Sequence, residues 1–172
     1  GLGASENSSR KKVFFYSIPY RTERNQFVYR KSDGLFASVS NLQQIMALNK
    51  SIAINLSGWF GPEIEQAKVS YPLFINSDTV DHRLAMLRLE RVDVVIDDQV
   101  VLCGSIAQGQ LTELAIHPSV LFQTPIHFIF NKSTISPAFV RQFNDVLFKM
   151  KNDGQVARIL RDHLPRLCQR AP

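Results

Sequence analysis

Three places in the chain carry groups able to grip a small charged molecule. Arg10 closes the polar run Ser5-Glu-Asn-Ser-Ser and opens the basic triplet Arg10-Lys11-Lys12. Its planar guanidinium can meet a carboxylate with two parallel charge-assisted hydrogen bonds, each worth about 1.5–3 kcal/mol when shielded from water. A basic triplet is also the composition of a solvated face. Asp98 follows the apolar run Val92-Asp-Val-Val-Ile96, and in open α/β sheets ligands collect beyond the carboxyl ends of strands. A carboxylate there can pair with an ammonium group, or Asp97 and Asp98 can cap the next helix. Ser57-Gly58-Trp59 lies between a strand pattern and a helix pattern. Backbone N–H groups at such a place favour an anion without needing any particular side chain. Trp59 suits either the core or the wall of a binding cleft.

These groups must be held by elements readable from periodicity. Short runs rich in β-branched and aromatic residues predict strands at Val13–Tyr16, Phe27–Arg30, Ile52–Asn55, Val69–Ile75, Val92–Ile96 and Ile126–Phe130. Helix patterns lie between them. Ser40 is the expected N-cap for a helix from Asn41 to Leu48, Pro62 fits a first helical turn, and Val80, Leu84 and Leu87 share one helical face. Strands alternating with helices predict βαβ units and a mostly parallel sheet. Further along, Val140, Phe143, Leu147 and Met150 form one apolar stripe, Asp153-Gly154 interrupts it, and Val156, Ile159 and Leu160 resume it, which predicts two helices with a glycine stop between them. Ser5–Ser9 and Asn131–Ser136 are polar enough to be loops.

Composition narrows the function classes. The 172 residues are 45% hydrophobic, which suits one medium domain or two small lobes with a real core. The net charge of +5 is dispersed, and no basic helix face is interleaved with aromatics, so nucleic acid is not an expected partner. Cys103 and Cys168 have no metal or redox spacing and read as two buried thiols or a single bridge. His82, His117, His127 and His163 have no ligand spacing, so no metal is expected, and no cofactor motif is present. No apolar run approaches the roughly 18 residues needed to span a bilayer. No charged-then-apolar leader opens the chain, so if the protein is exported its signal is expected upstream.

Ser5-Glu-Asn-Ser-Ser-Arg-Lys-Lys-Val-Phe-Phe-Tyr-Ser-Ile-Pro-Tyr20, Arg91-Val-Asp-Val-Val-Ile-Asp-Asp98 and the segment from Ser136 to Leu164 together resemble the extracytoplasmic solute-binding proteins, family 3, of polar amino-acid ABC transporters. The resemblance implies an α/β fold of the periplasmic-binding-protein type, with two lobes joined by two crossover strands and the ligand enclosed between them. The segment from Phe15 to Tyr20 is similar to the first crossover, and Thr124 to Phe128 to the return. Residues 1–19 and 125–172 would then be the remaining parts of lobe 1, and 20–124 would be lobe 2. Family members carry a βαβ portion ahead of the segment matched by Ser5 to Arg10. Lobe 1 is therefore expected to be incomplete here, with its apolar helices covered by a missing N-terminal fragment or by a second copy.

The same resemblance gives the candidates roles. Arg10 matches the family's carboxylate-binding arginine and Ser5 the serine upstream of it, while Asn7 stands where threonine is usual. Asp98 matches the acceptor of the ligand's amino group. Ser57, Gly58 and Trp59 fall where the family reads Gly-Thr-Thr or similar, so backbone donors alone carry over. The implied function is capture of a small polar solute, an amino acid or related zwitterion, in the periplasm for the membrane permease of an ABC transporter, without catalysis. Two alternatives share the scaffold. One is a sensory ligand-binding domain. The other is a dehydratase-like enzyme, for which Glu63, Asp97 and His127 are the only loose acid/base candidates.

Overall fold

A computed structural model describes residues 3–164 apart from Asn7 and Ser57. The elements run β1 (Ala4–Ser5), α1 (Ser8–Val13), β2 (Phe14–Tyr16), β3 (Arg21–Arg30), a 3-10 turn (Gly34–Ser38), α2 (Leu42–Ala47), β4 (Ile52–Ile54), α3 (Pro62–Ser70), β5 (Phe74–Asn76), α4 (Val80–Arg88), β6 (Val94–Asp98), α5 (Gln99–Gln108), β7 (Leu114–Ile116), β8 (Phe122–His127), β9 (Ile129–Asn131), α6 (Pro137–Asn152) and α7 (Gln155–His163). The chain divides into two compact units. Gly1–Glu23 with Thr124–His163 form the first, and the second is built from Arg24–Gln123. The long strand β3 carries the chain out of the first unit and β8 carries it back.

In the second unit β4 is flanked by β5 and β6, both parallel to it, while β3 runs antiparallel to β6 and to β7. The sheet is mixed rather than mostly parallel, because β3 enters as a strand returning from elsewhere and not through a right-handed helical crossover. Side chains alternate across it. Phe27, Ile52, Ile54, Val94 and Ile96 point to one face, where Leu42, Ile45, Ile64 and Ala67 of α2 and α3 cover them. Val28, Ala53 and Val95 point to the other, against Leu84 and Leu87 of α4 and Leu102 and Ile106 of α5. The period of two along the strands therefore yields two cores, one on each face.

In the first unit β1 pairs with β8 and β2 with β9, both antiparallel. Phe128 and Phe130 meet the ring of Phe143 on α6 at centroid distances of 5.1 and 5.0 Å. Asn144 on α6 accepts the backbone N–H of Ile18 at 2.9 Å, and the Lys151 ammonium donates to the Pro19 carbonyl at 2.5 Å. The break at Gly154 is real, with φ at +77° where glycine is favoured.

Several expectations needed correction. Ser8 and Ser9 begin α1 instead of lying in a loop, and Val13 ends that helix instead of starting β2. Val69 belongs to α3 and is 91% exposed, so the strand predicted from Val69 begins only at Phe74. Lys68-Val-Ser-Tyr has β-branched and aromatic content, but Pro62 had already nucleated a helix that runs through it. The N-cap of α2 is Asn41, whose side chain accepts the Gln44 N–H at 2.9 Å, rather than Ser40. The apolar run Ile126–Phe130 splits between β8 and β9 at Phe128. Of the two readings left open for the cysteines, the bridge holds for Cys103, which is buried on α5 and disulfide-bonded. Cys168 lies outside the described residues.

Candidate functional site

In the first unit, Ser5 is a buried residue of β1 and Arg10 is a half-buried residue in the last turn of α1. The Arg10 guanidinium donates to the Ser5 carbonyl at 3.3 Å, and the Tyr16 hydroxyl donates to the same oxygen at 3.5 Å. A short strand, a helix and β2 thus converge on one carbonyl, which holds one arm of the guanidinium. Below them, His127 receives the edge of the Tyr16 ring at 5.6 Å and places Nδ1 2.7 Å from the Ser17 carbonyl. That contact makes Nδ1 the protonated nitrogen. Nothing in the sequence around His127 marked it for this role, since its partners lie 110 residues away.

In the second unit, Asp98 ends β6 and caps α5, its carboxylate accepting the Val100 N–H at 3.4 Å. It is 4% exposed. Its neighbour Asp97 has a different task. One carboxylate oxygen accepts the Asp98 N–H at 2.7 Å, and the other forms an ion pair with Arg83 of α4. The second arm of the Arg83 guanidinium donates to the Ser77 carbonyl. Burial pushes the Asp97 carboxyl above the ordinary carboxylate range, against the pull of Arg83. Asp97 is thereby committed inside the protein. Sequence reading left the two carboxylates either sharing one task or with one capping the next helix; the cap is Asp98, and the ion pair of Asp97 went unforeseen because Arg83 sits in an ordinary amphipathic helix with no local cue that it turns inward.

Ser57 lies outside the described residues. Gly58 closes a turn, donating its N–H to the Asn55 carbonyl at 3.0 Å. A Cβ at this position would come within 2.6 Å of the Phe60 ring, so the turn requires glycine. Trp59 meets Phe122 edge-on at 5.2 Å. The loop is held from behind by α3. The Lys68 ammonium reaches the Gly58 carbonyl at 2.7 Å, the Leu56 carbonyl at 3.5 Å and Glu65 at 2.8 Å, and lies 4.9 Å above the Phe60 ring. Glu65 in turn accepts the Phe60 N–H at 3.0 Å. The i,i+3 pair Glu65 and Lys68 just after a glycine loop was the available sequence cue for this anchor.

No group of three or more His, Cys, Asp and Glu side chains among the described residues is arranged to hold a metal ion. No helix among them is long and apolar enough to cross a membrane.

The chain belongs to the bacterial extracellular solute-binding proteins, family 3, whose sequence pattern matches residues 2–166. Solved structures share the fold. A variant of ArgBP from T. maritima superposes with a TM-score of 0.72 at 23% identity, over 92% of this chain and 64% of that one. The amino acid ABC transporter substrate-binding protein AbpA from Streptococcus pneumoniae, bound to L-arginine, gives 0.71 at 20% identity, over 93% and 65%. A binding component of an ABC transporter from Wolinella succinogenes, complexed with lysine, gives 0.72 at 20% identity, over 94% and 67%. The chain therefore spans about two thirds of the length of these proteins. Comparison with curated proteins finds no match.

Proposed function

We propose that this chain is the solute-capturing part of an extracytoplasmic receptor that delivers an amino acid or related zwitterion to the permease of an ABC transporter. The observation that carries the reading is the family match along residues 2–166. The residue placements support it. Arg10 is tied to β1 through the Ser5 carbonyl, and Asp98 sits where a strand of the second unit ends and a helix begins. Arg10 takes the solute's carboxylate, with the Ser5 carbonyl holding one arm of the guanidinium. Asp98 takes the amine, and Trp59, on the Gly58 loop beside Ser57, contributes backbone donation and apolar wall. Such a solute stabilises the state that binds it by its differential affinity.

L-arginine and L-lysine are the first probes, because related structures hold arginine and lysine. The remaining standard amino acids follow in the same thermal-shift screen. At a hundredfold excess over Kd the bound protein gains about 2.7 kcal/mol. Arg10→Ala and Asp98→Ala each abolish the shift. A screen in which no amino acid raises Tm, or a shift that survives both substitutions, overturns the proposal.

A further inference from the structure

Lys68 is 8% exposed at its side chain, yet its charge is not spent on Glu65 alone. Two backbone carbonyls of the loop ahead of α3 also converge on it. The peptide bond from Gly58 to Trp59 is trans, as are all others described. In a trans peptide the C=O and the N–H point in opposite directions. Drawing the Gly58 carbonyl onto the Lys68 ammonium therefore turns the Trp59 N–H to the opposite side of the loop. There it donates to nothing among the described residues. The neighbouring donors are already committed, Gly58 N–H to Asn55 and Phe60 N–H to Glu65.

Resting on the amino-acid-binding reading above, we propose that Lys68 is a positioning residue for carboxylate recognition. It clamps the Gly58 carbonyl from behind, so that the Trp59 N–H is presented as a fixed donor to the solute's carboxylate. Trp59 carries no side-chain hydroxyl, so what it can offer a carboxylate is its backbone N–H, whose direction follows from the orientation of one peptide plane. Glu65 completes the clamp by holding the ammonium in place and fixing the next peptide through Phe60. The cation also lies over the Phe60 ring, a further attraction that favours this position of the ammonium.

The test separates this role from plain stability and from the receptor reading. Sodium acetate, a bare carboxylate, is titrated into 15N-labelled full chain while backbone amides are followed by NMR. The Trp59 amide proton moves downfield in the wild type, does not move in Lys68→Met, and moves again in Lys68→Arg, whose guanidinium can reach the same carbonyl. In the amino-acid arm, Lys68→Met weakens binding of L-arginine about tenfold and leaves binding of agmatine, which lacks the carboxylate, unchanged. A merely structural role moves both alike. A wild-type Trp59 amide indifferent to acetate, or one that responds equally in Lys68→Met, overturns the proposal. Should Lys68→Met fail to fold, Glu65→Gln serves in its place, with a reduced acetate response expected and an undiminished one refuting. Absence of any amino-acid binding alongside a normal Trp59 response refutes the receptor reading alone.

Discussion

Asp97→Asn isolates the buried charge on Arg83. That guanidinium is 2% exposed and spends its arms on one carboxylate and one carbonyl. With asparagine at 97 the hydrogen bond to the Asp98 N–H can persist, but the cation is left among neutral acceptors. Removing one partner of a buried pair costs about 3–5 kcal/mol, because the surviving charge stays desolvated. In a chain of this length each kcal/mol lowers Tm by about 2–4 °C, so a fall of about 6–20 °C is expected. Arg83→Met costs a similar amount at neutral pH. The double variant loses far less than the sum, with a coupling of at least about 2 kcal/mol. The pH dependence distinguishes the singles. The Asp97 carboxyl is raised in the folded state, so the stability it lends is complete below its unfolded pKa of about 4 and is lost as pH climbs through the folded value. Removing Arg83 raises it further, so the deficit of Arg83→Met widens from acid towards neutrality, whereas that of Asp97→Asn narrows, because asparagine does not titrate and the variant escapes the loss that the wild type undergoes. Urea unfolding followed by the fluorescence of Trp59, the chain's single tryptophan, at several pH values measures all four proteins. Additive single losses, or pH profiles in the reverse order, would refute the reasoning.

Two further substitutions test the frame around the site. Asp93 accepts the Ser51 N–H at 2.8 Å, the Ser51 hydroxyl at 2.7 Å and the Lys50 ammonium at 3.2 Å; burial alone would raise its carboxyl, but these bonds carry it below the ordinary range. Its contribution is present above the unfolded pKa and lost as pH falls through the folded one. Asp93→Asn should therefore cost about 1.5–3 kcal/mol at neutral pH in urea unfolding, and flatten the acid limb of the stability curve. Gly61, at φ +97°, would put a Cβ 2.4 Å from the Phe122 ring. Gly61→Ala is expected to cost more than about 1–3 kcal/mol in thermal unfolding, against a small change for Gly34→Ala, where the new methyl meets nothing within 4 Å.

Much of the second unit was legible because burial on a sheet follows period two and burial on a helix follows period 3.6. The runs at Ile52, Val92 and Val80–Leu87 announced β4, β6 and α4 within a residue or two. Pro62 and Gly154 marked a helix start and a helix stop for reasons internal to their own backbones. The failures are equally local in origin. Val69 looked like strand because its neighbours are β-branched and aromatic, while the helix nucleated upstream decided otherwise. The strand at Phe27–Arg30 was legible but its antiparallel direction in β3 was not, because the direction of a strand is set by which distant strand it pairs with.

By itself the sequence determined which kinds of groups are on offer. It supplied a guanidinium after a short polar run, carboxylates after a buried strand, a glycine loop before a helix, and the motifs that mark the family. Tertiary structure alone decided how those groups are employed. Arg83 is 14 residues from Asp97 and His127 is 110 from Ser17, and such pairs exist only once strands and helices have packed. Asp97 is consumed by Arg83 while Asp98 caps α5, and Lys68 reaches back to set one peptide plane. A residue's chemistry is written in its side chain, but its partner, its desolvation and its direction belong to the folded neighbourhood, which no local spacing encodes.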